Sequence, residues 1–497
     1  MGRTLKKLLS LLLAVIMLLS MGIPALAAGD EDIVDLDDAA LNAEDGEAGI
    51  VLESEPMDPA QLGIPRLGEI GLTAEEIEDV ELEDPDTPVR VSIFLTQPSA
   101  LDAGYPMTGI GTNGAAIAYR NDLLSQQQAV TAAIESATGR PLSVKWNMTL
   151  ALNAVSAWVR VGDIKTIETV PGVRSVVREN QYEPQTDDAA EPNTANTSQF
   201  MVGATAAWAN GYTGAGSRIA IIDTGLDTAH QSFNADAFDH AIAEVRQTKA
   251  VDLLERSEVS GLAGQLHSRS SNYISTKIPY AYNYVDGNTT VNHTNDTEGE
   301  HGSHVAGIAA ANRFIKSGSS YNDAASSVHA VGMAPDAQLL IMKVFGNNGG
   351  AYDSDYMVAI EDAIVLGCDS VNLSLGSSSQ GFTFDNGYQD ILNNLASRAH
   401  NENMVVTISA GNSYAITAFL ETDLYADDVS MHTGGSPGTF VNSLCVAAAQ
   451  NIGNTGAPLS FPNDHQVFYT DTLGTMLKSR PTVVPINAGG WVVMNVL

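Results

Sequence analysis

The sequence predicts an α/β protein: a parallel sheet with helices on both faces, preceded by a small α+β domain. Three observations carry this expectation. Apolar runs such as "RIAIIDTG", "AQLLIMKV" and "MVVTISAGN" are continuous rather than alternating, as in strands buried on both faces. Helix-like stretches such as "DYMVAIEDAIVLGC" and "GYQDILNNLASRAHNEN" separate them, the alternation that builds a parallel sheet. Upstream, residues 88–182 read as strand, helix, strand, strand, helix, strand.

Residues 1–28 come first. Arg3, Lys6 and Lys7 precede the apolar run "LLSLLLAVIMLLSMGI", and "ALAA" supplies small residues suited to a signal peptidase. This is the pattern of a secretory signal cleaved after Ala27 or Ala28. A membrane anchor fits less well, because the run is short and ends in a cleavage site. No later stretch is apolar for long enough to span a bilayer, so no stable membrane span is expected once the signal is removed.

Residues 29–87 form an acidic segment. Between Asp30 and Asp86, 21 Asp and Glu stand against Arg66 alone, so this stretch carries −20 of the chain's net −35. Self-repelling and poor in aromatics, it reads as a disordered tether. The rest of the chain is also acidic, which argues against a nucleic-acid partner. The two cysteines, Cys368 in "VLGCDSV" and Cys445 in "NSLCVAAA", sit in apolar runs and read as buried free thiols rather than a disulfide.

Within 88–182, "PVRVSIFL" is the first strand, "AYRNDLLSQQQAVTAAIESATG" a helix, "LALNAVSAWVRV" and "VRSVV" strands, and "GDIKTIETVPG" a short helix between them. A polar linker containing Pro and Asn, residues 183–199, follows. The larger domain spans 200–460. In parallel sheets functional groups collect beyond the carboxyl ends of the strands, which singles out Asp223 and Asn412.

The stretch "EGEHGSHVAGIAAAN" holds two histidines three residues apart. A hydrolase zinc helix places them four apart, with a glutamate beside the first; here Gly302 stands in that place, so no metal ligands are assigned. Instead, Gly302, Ala306, Gly307 and Ala310 give the helix a face with almost no side chain, able to press against a sheet. His301, at its N-terminal end, would then face the strand ends as a base. His304 reads as a structural histidine. A histidine base needs a carboxylate to fix its tautomer, and Asp223 is the candidate by position; Asp227 is the rival, better suited to capping its turn.

The blocks "RIAIIDTGLD", "EGEHGSHVAGIAA" and "VVTISAGN", in that order, resemble the Asp, His and oxyanion-Asn blocks of the subtilisin-like serine peptidases, the subtilases. The detail of "MVGATAAWANGYTGAGSRIAIIDTGLD" is similar to the large cell-envelope branch of the lactocepin and C5a peptidase type. The resemblance covers about Phe200 to Asn451. It implies Asp223 as the tautomer-fixing carboxylate, His301 as general base and Asn412 as amide donor to the oxyanion. Ser374, Leu375 and Gly376 would pair with the substrate backbone. It also implies that 88–182 is a ferredoxin-like propeptide, an intramolecular inhibitor released by cleavage in the linker. The expected product is a secreted or cell-envelope-associated endopeptidase acting on protein or peptide. No cofactor is needed for its chemistry; calcium sites occur in the family, but no run here has convincing oxygen-ligand spacing.

The nucleophile is missing from this pattern. The family's serine lies in a Gly-Thr-Ser-Met-Ala-like block, and none occurs in the 497 residues. Ser436 in "GGSPGT" is the nearest look-alike and reads as a Gly/Pro turn. Residues 461–497 read as the start of an inserted protease-associated domain or as an aberrant tail. The expectation is a truncated, inactive peptidase precursor. The alternative is a decayed peptidase kept as a non-catalytic peptide-binding protein. A metal hydrolase using His301 and His304 is the third option.

Overall fold

The computed structural model describes residues 83–184 and 195–411, with gaps at 271, 293–295, 297, 328–329, 348 and 377–387. It also describes the short pieces 436–438, 444–447, 457–461 and 465–469. The signal segment, nearly all of the acidic segment, most of the linker, Asn412 and most of 461–497 lie outside the described residues.

The N-terminal domain begins with β1 (Pro88–Leu95), whose Val91 and Ile93 are fully buried. Helix α1 (Gly114–Thr138) starts where the Asn113 side chain accepts the Ala115 and Ala116 amides at 3.1 and 3.2 Å. It ends at Gly139, in the left-handed conformation that stops helices. Then come β2 (Ser143–Met148), β3 (Ala154–Arg160), α2 (Ile164–Glu168) and β4 (Val173–Arg178). The sheet is antiparallel throughout, in the order β2-β3-β1-β4. The expected order has a strand in the place of β2, but no particular stretch of sequence was assigned to it. Its first residues are polar or exposed, so it lacks the apolar run that marks its neighbours.

The chain continues into β5 (Glu183–Pro184), a two-residue strand inside the stretch expected to be linker. Two short helices, α3 (Ala195–Met201) and α4 (Ala204–Ala209), lead to β6 (Arg218–Asp223). Next are α5 (Ala235–Val245), α6 (Arg256–Leu262), β7 (Tyr280–Asn283) and α7 (His301–Ala310). A hairpin of β8 (Phe314–Ser317) and β9 (Ser320–Asp323) precedes β10 (Gln338–Lys343) and α8 (Asp353–Val365). The remainder is β11 (Ser370–Leu373), β12 (Leu375–Gly376), α9 (Tyr388–Asn401), β13 (Val405–Ser409), β14 (Leu444–Val446) and the hairpin β15 (Ala457–Phe461) and β16 (His465–Tyr469).

Six of these strands form one sheet in the order β14-β13-β11-β6-β10-β7, and every pairing in it is parallel. The carboxyl ends of β6, β11 and β13 therefore share one edge of the sheet. Strand β10 is buried along its whole length, and its four central residues, Leu339 to Met342, are all apolar. Cys368 is buried, and burial pushes its thiol well above the usual range. Cys445 is exposed, contrary to expectation. It lies on β14, at the edge of the sheet, where Leu444 and Val446 are exposed as well. Its apolar neighbours suggested a core strand that the fold does not bury there.

The N-terminal domain and the larger domain share a continuous hydrophobic core, in which Phe94, Leu101 and Leu150 join Tyr356, Val371 and Ile408. Helix α8 is the platform. Glu361 accepts the amides of Leu150 and Ala151 at 3.0 and 2.7 Å. Arg90 pairs with Asp355 at 2.8 Å and with Glu179 at 3.1 Å, all three side chains buried. Trp146 donates to the same Asp355 at 2.8 Å.

The long stretch between Asp223 and His301, whose purpose the sequence left open, also meets this domain. Leu262 of α6 packs so tightly on Gly111 that a Cβ there would sit 2.8 Å from it. Arg120 donates to the Gln265 carbonyl at 3.2 Å. His267 bridges Asp362 at 2.9 Å and Glu361 at 3.4 Å and meets the Trp146 ring edge-on at 6.0 Å.

Candidate active site

Strand β6 delivers Asp223 at its carboxyl end, and the next residues are shaped by close approach. Gly225 has φ +116°, and a Cβ there would sit 2.0 Å from the Val291 carbonyl oxygen. Helix α7 then lands on this turn. A Cβ on Gly302 would lie 2.2 Å from the Gly225 carbonyl oxygen, so only glycine lets the helix start this close to β6. The Gly302 amide donates to Thr224 Oγ1 at 2.9 Å and fastens the helix start.

The result is that His301 Nδ1 stands 2.7 Å from Asp223 Oδ1. Asp223 is buried while His301 keeps some exposure. The same Asp223 oxygen accepts the Thr224 amide at 2.6 Å. A carboxylate held in this way makes Nδ1 the donor and leaves Nε2 as the basic nitrogen of a neutral imidazole. His304 is exposed, so it is not the structural histidine expected. On a ten-residue helix with a small-residue face against the sheet, position 304 falls on the outer side. Asp227 accepts the amide of Ala229 at 3.0 Å, capping its turn.

Lys343, at the carboxyl end of β10, is a participant the sequence did not flag. It is level with Asp223 in the sheet, fully buried, paired with Asp296 at 3.0 Å and donating to the Thr224 carbonyl. Buried charge is tolerated where it is paired and hydrogen-bonded, and here it holds the turn that carries Thr224 and Gly225. A lone lysine ending an apolar strand was the available signal.

The segment 374–376 follows β11. Ser374 Oγ accepts from Asn372 Nδ2 at 2.9 Å, and the Leu375 carbonyl accepts from Ser409 Oγ at 3.3 Å, joining the tips of β12 and β13. Leu375 and Gly376 pair antiparallel with Pro184 and Glu183 of β5. On the other side of this segment Gln181 pairs with Tyr352, and the Tyr182 amide donates to the Ala351 carbonyl at 2.8 Å. Residues 181–184 thus run between two stretches of the larger domain. Asn412 lies outside the described residues, just past Gly411 at the end of β13. Ser436 is buried in a turn over 436–438.

A parallel sheet thus brings a buried carboxylate at a strand tip against an imidazole at a helix mouth, an arrangement able to act as an oriented general base. A sequence profile of the subtilase family matches residues 214–488, more than half of the chain, and the chain belongs to that family. The match runs past Asn451, where the resemblance in the motifs fades. The chain is 31% identical over 380 residues to the PI-type proteinase of Lactococcus lactis subsp. cremoris, covering 75% of this chain and 18% of that protein. It is 27% identical over 308 residues to the minor extracellular protease Vpr of Bacillus subtilis, covering 61% of this chain and 29% of that one. With the C5a peptidase of Streptococcus pyogenes serotype M6 it shares 28% over 237 residues, 47% of this chain and 18% of the other. The chain thus spans less than a third of the length of each of these relatives.

Proposed function

We propose that these 497 residues belong to the precursor of a secreted or cell-envelope-associated endopeptidase, acting by acyl transfer from peptide to serine to water. His301 takes the serine proton at Nε2 and returns it to the leaving amine. Asp223 fixes the tautomer and stabilises the imidazolium that forms. The Asn412 side-chain amide donates to the developing oxyanion. Leu375 and Gly376 hold the substrate backbone as an added strand. The Asp223–His301 contact of 2.7 Å is the observation that carries this reading.

Residues 88–182 act in this proposal as an inhibitor in cis. The docking of that domain on α8 supports it, as does the pairing of Glu183 and Pro184 with Gly376 and Leu375, the place a substrate strand would take. The signal-like residues 1–28 support export, and among the described residues no helix is long and apolar enough to cross a membrane. The chemistry calls for no cofactor.

The 497 residues include no Gly-Thr-Ser-type block, so a polypeptide of these residues alone is expected to be proteolytically silent. The second reading is a decayed peptidase that binds peptides without cutting them. Coding sequence downstream of Leu497 separates the two. A serine block there fits the broken or continued enzyme, and its absence from the locus fits decay. Labelling with a serine-directed phosphonate tests the chemistry: a chain continued through a serine block should react at that serine, and residues 1–497 alone should not. Activity lost to chelators and indifferent to phosphonate would overturn the assignment in favour of a metal hydrolase.

A further inference from the structure

The segment that runs through the cleft buries one large side chain in the larger domain. Tyr182 is 1% exposed, although its backbone belongs to a short tail beyond the N-terminal domain's last long strand. Its carbonyl oxygen lies against Gly350, where a Cβ would come within 2.5 Å of it. Its ring meets Tyr356 edge-on, with centroids 5.7 Å apart, in the cluster that includes Phe345, Ala351 and Leu375. Its hydroxyl donates to Asp353 Oδ1 at 3.0 Å.

Asp353 itself is fully buried at the first turn of α8. Its Oδ1 also accepts the Tyr356 hydroxyl at 2.9 Å, and its Oδ2 accepts the Asn180 amide at 2.7 Å. The start of a helix favours a carboxylate. Burial, followed by the nearby Asp353 charge, pushes the Tyr182 hydroxyl well above the usual tyrosine range, so it stays a donor. An apolar wall with one buried acceptor at its floor distinguishes tyrosine from phenylalanine, because phenylalanine leaves the acceptor short of a partner.

We infer that Asp353 makes this pocket select tyrosine over phenylalanine in a bound peptide, two residues before the one paired with Leu375. The inference rests on the proposed function, because it takes residues 181–184 as occupying the path of a substrate. The peptides it would favour are those with a tyrosine side chain at the position of Tyr182, extended through the cleft like "QYEP".

The test uses the full chain with residues 181–184 replaced by glycine and serine, which removes the resident side chains from the cleft. Labelled peptides Asn-Gln-Tyr-Glu-Pro-Gln, and versions with Phe or Ala for Tyr, are titrated by fluorescence anisotropy. The tyrosine peptide should bind about 10- to 100-fold more tightly than the phenylalanine one, as one hydrogen bond to a buried carboxylate implies. With Asp353→Asn in the host, that ratio should fall below about threefold. Equal binding of the Tyr and Phe peptides to the unaltered pocket would overturn the selectivity alone. Failure of every peptide to bind a folded host would overturn the cleft reading as well. Amide exchange of residue 182 in the otherwise intact chain is a second measurement. Tyr182→Phe should speed it about tenfold or more, and an unchanged rate contradicts the inference.

Discussion

Asp223 Oδ1 and His301 Nδ1 lie 2.7 Å apart across a sequence separation of 78 residues. The contact depends on a helix start that sits on a turn with no room for a side chain. Backbone packing between Gly302 and Gly225, not the two side chains alone, fixes the pair.

Gly302→Ala tests this directly. The added methyl would fall 2.2 Å from a backbone oxygen, which cannot rotate away, so α7 must shift outward. A stability loss of about 1–3 kcal/mol is expected from the overpacking, measured by chemical denaturation. The downfield proton signal of the His301–Asp223 hydrogen bond should weaken in the same variant. A stable variant with an unchanged signal would contradict the packing argument.

Arg90 ties the N-terminal domain to α8 through Asp355 and to Glu179 within its own domain. Arg90→Ala leaves two buried carboxylates without that partner. Breaking a buried pair from one side costs about 3–5 kcal/mol. Amide exchange across β1 and the 150–151 loop should rise sharply, together with faster proteolytic nicking of the N-terminal domain. Little change in either would mean that Arg90 contributes nothing to docking.

His267 links docking to pH. Burial by itself would lower its pKa, but Asp362 and then Glu361 outweigh burial and raise it. A histidine with a raised folded pKa contributes stability that is fully present below its ordinary value of about 6.5. That contribution disappears as pH rises through the higher folded value. The melting temperature of the intact chain should therefore carry a falling component above about pH 6.5 that is absent in His267→Gln. Identical pH profiles for the two proteins would remove His267 from the account.

How far the sequence revealed all this follows from where the information sits. Asp223 was visible because a buried parallel strand is a continuous apolar run, here Ile219 to Ile222, and its carboxyl end is marked by a carboxylate. His301 was visible because "HGSHVAGIAA" has a side-chain-free face, the very feature that Gly302 uses against Gly225. Strand β7 and the docking role of α6 were not visible, since they depend on a partner distant in sequence. Cys445 was misjudged because apolar neighbours do not reveal a sheet edge, and His304 because helix phase alone does not say how much of α7 is covered. Asp353 and Tyr182 carry no such mark in the sequence; only the fold places the hydroxyl on the carboxylate.

The central claim is that Asp223 and His301 are the acid–base machinery of peptide hydrolysis. Turnover of a peptide substrate by a chain carrying both residues together with a serine block measures it most directly. In such a chain His301→Ala should lower kcat by about 10⁶-fold and Asp223→Ala by about 10⁴-fold, magnitudes borrowed from subtilisin itself, with folding unchanged by circular dichroism. Near-normal kcat in either folded variant would contradict the claim.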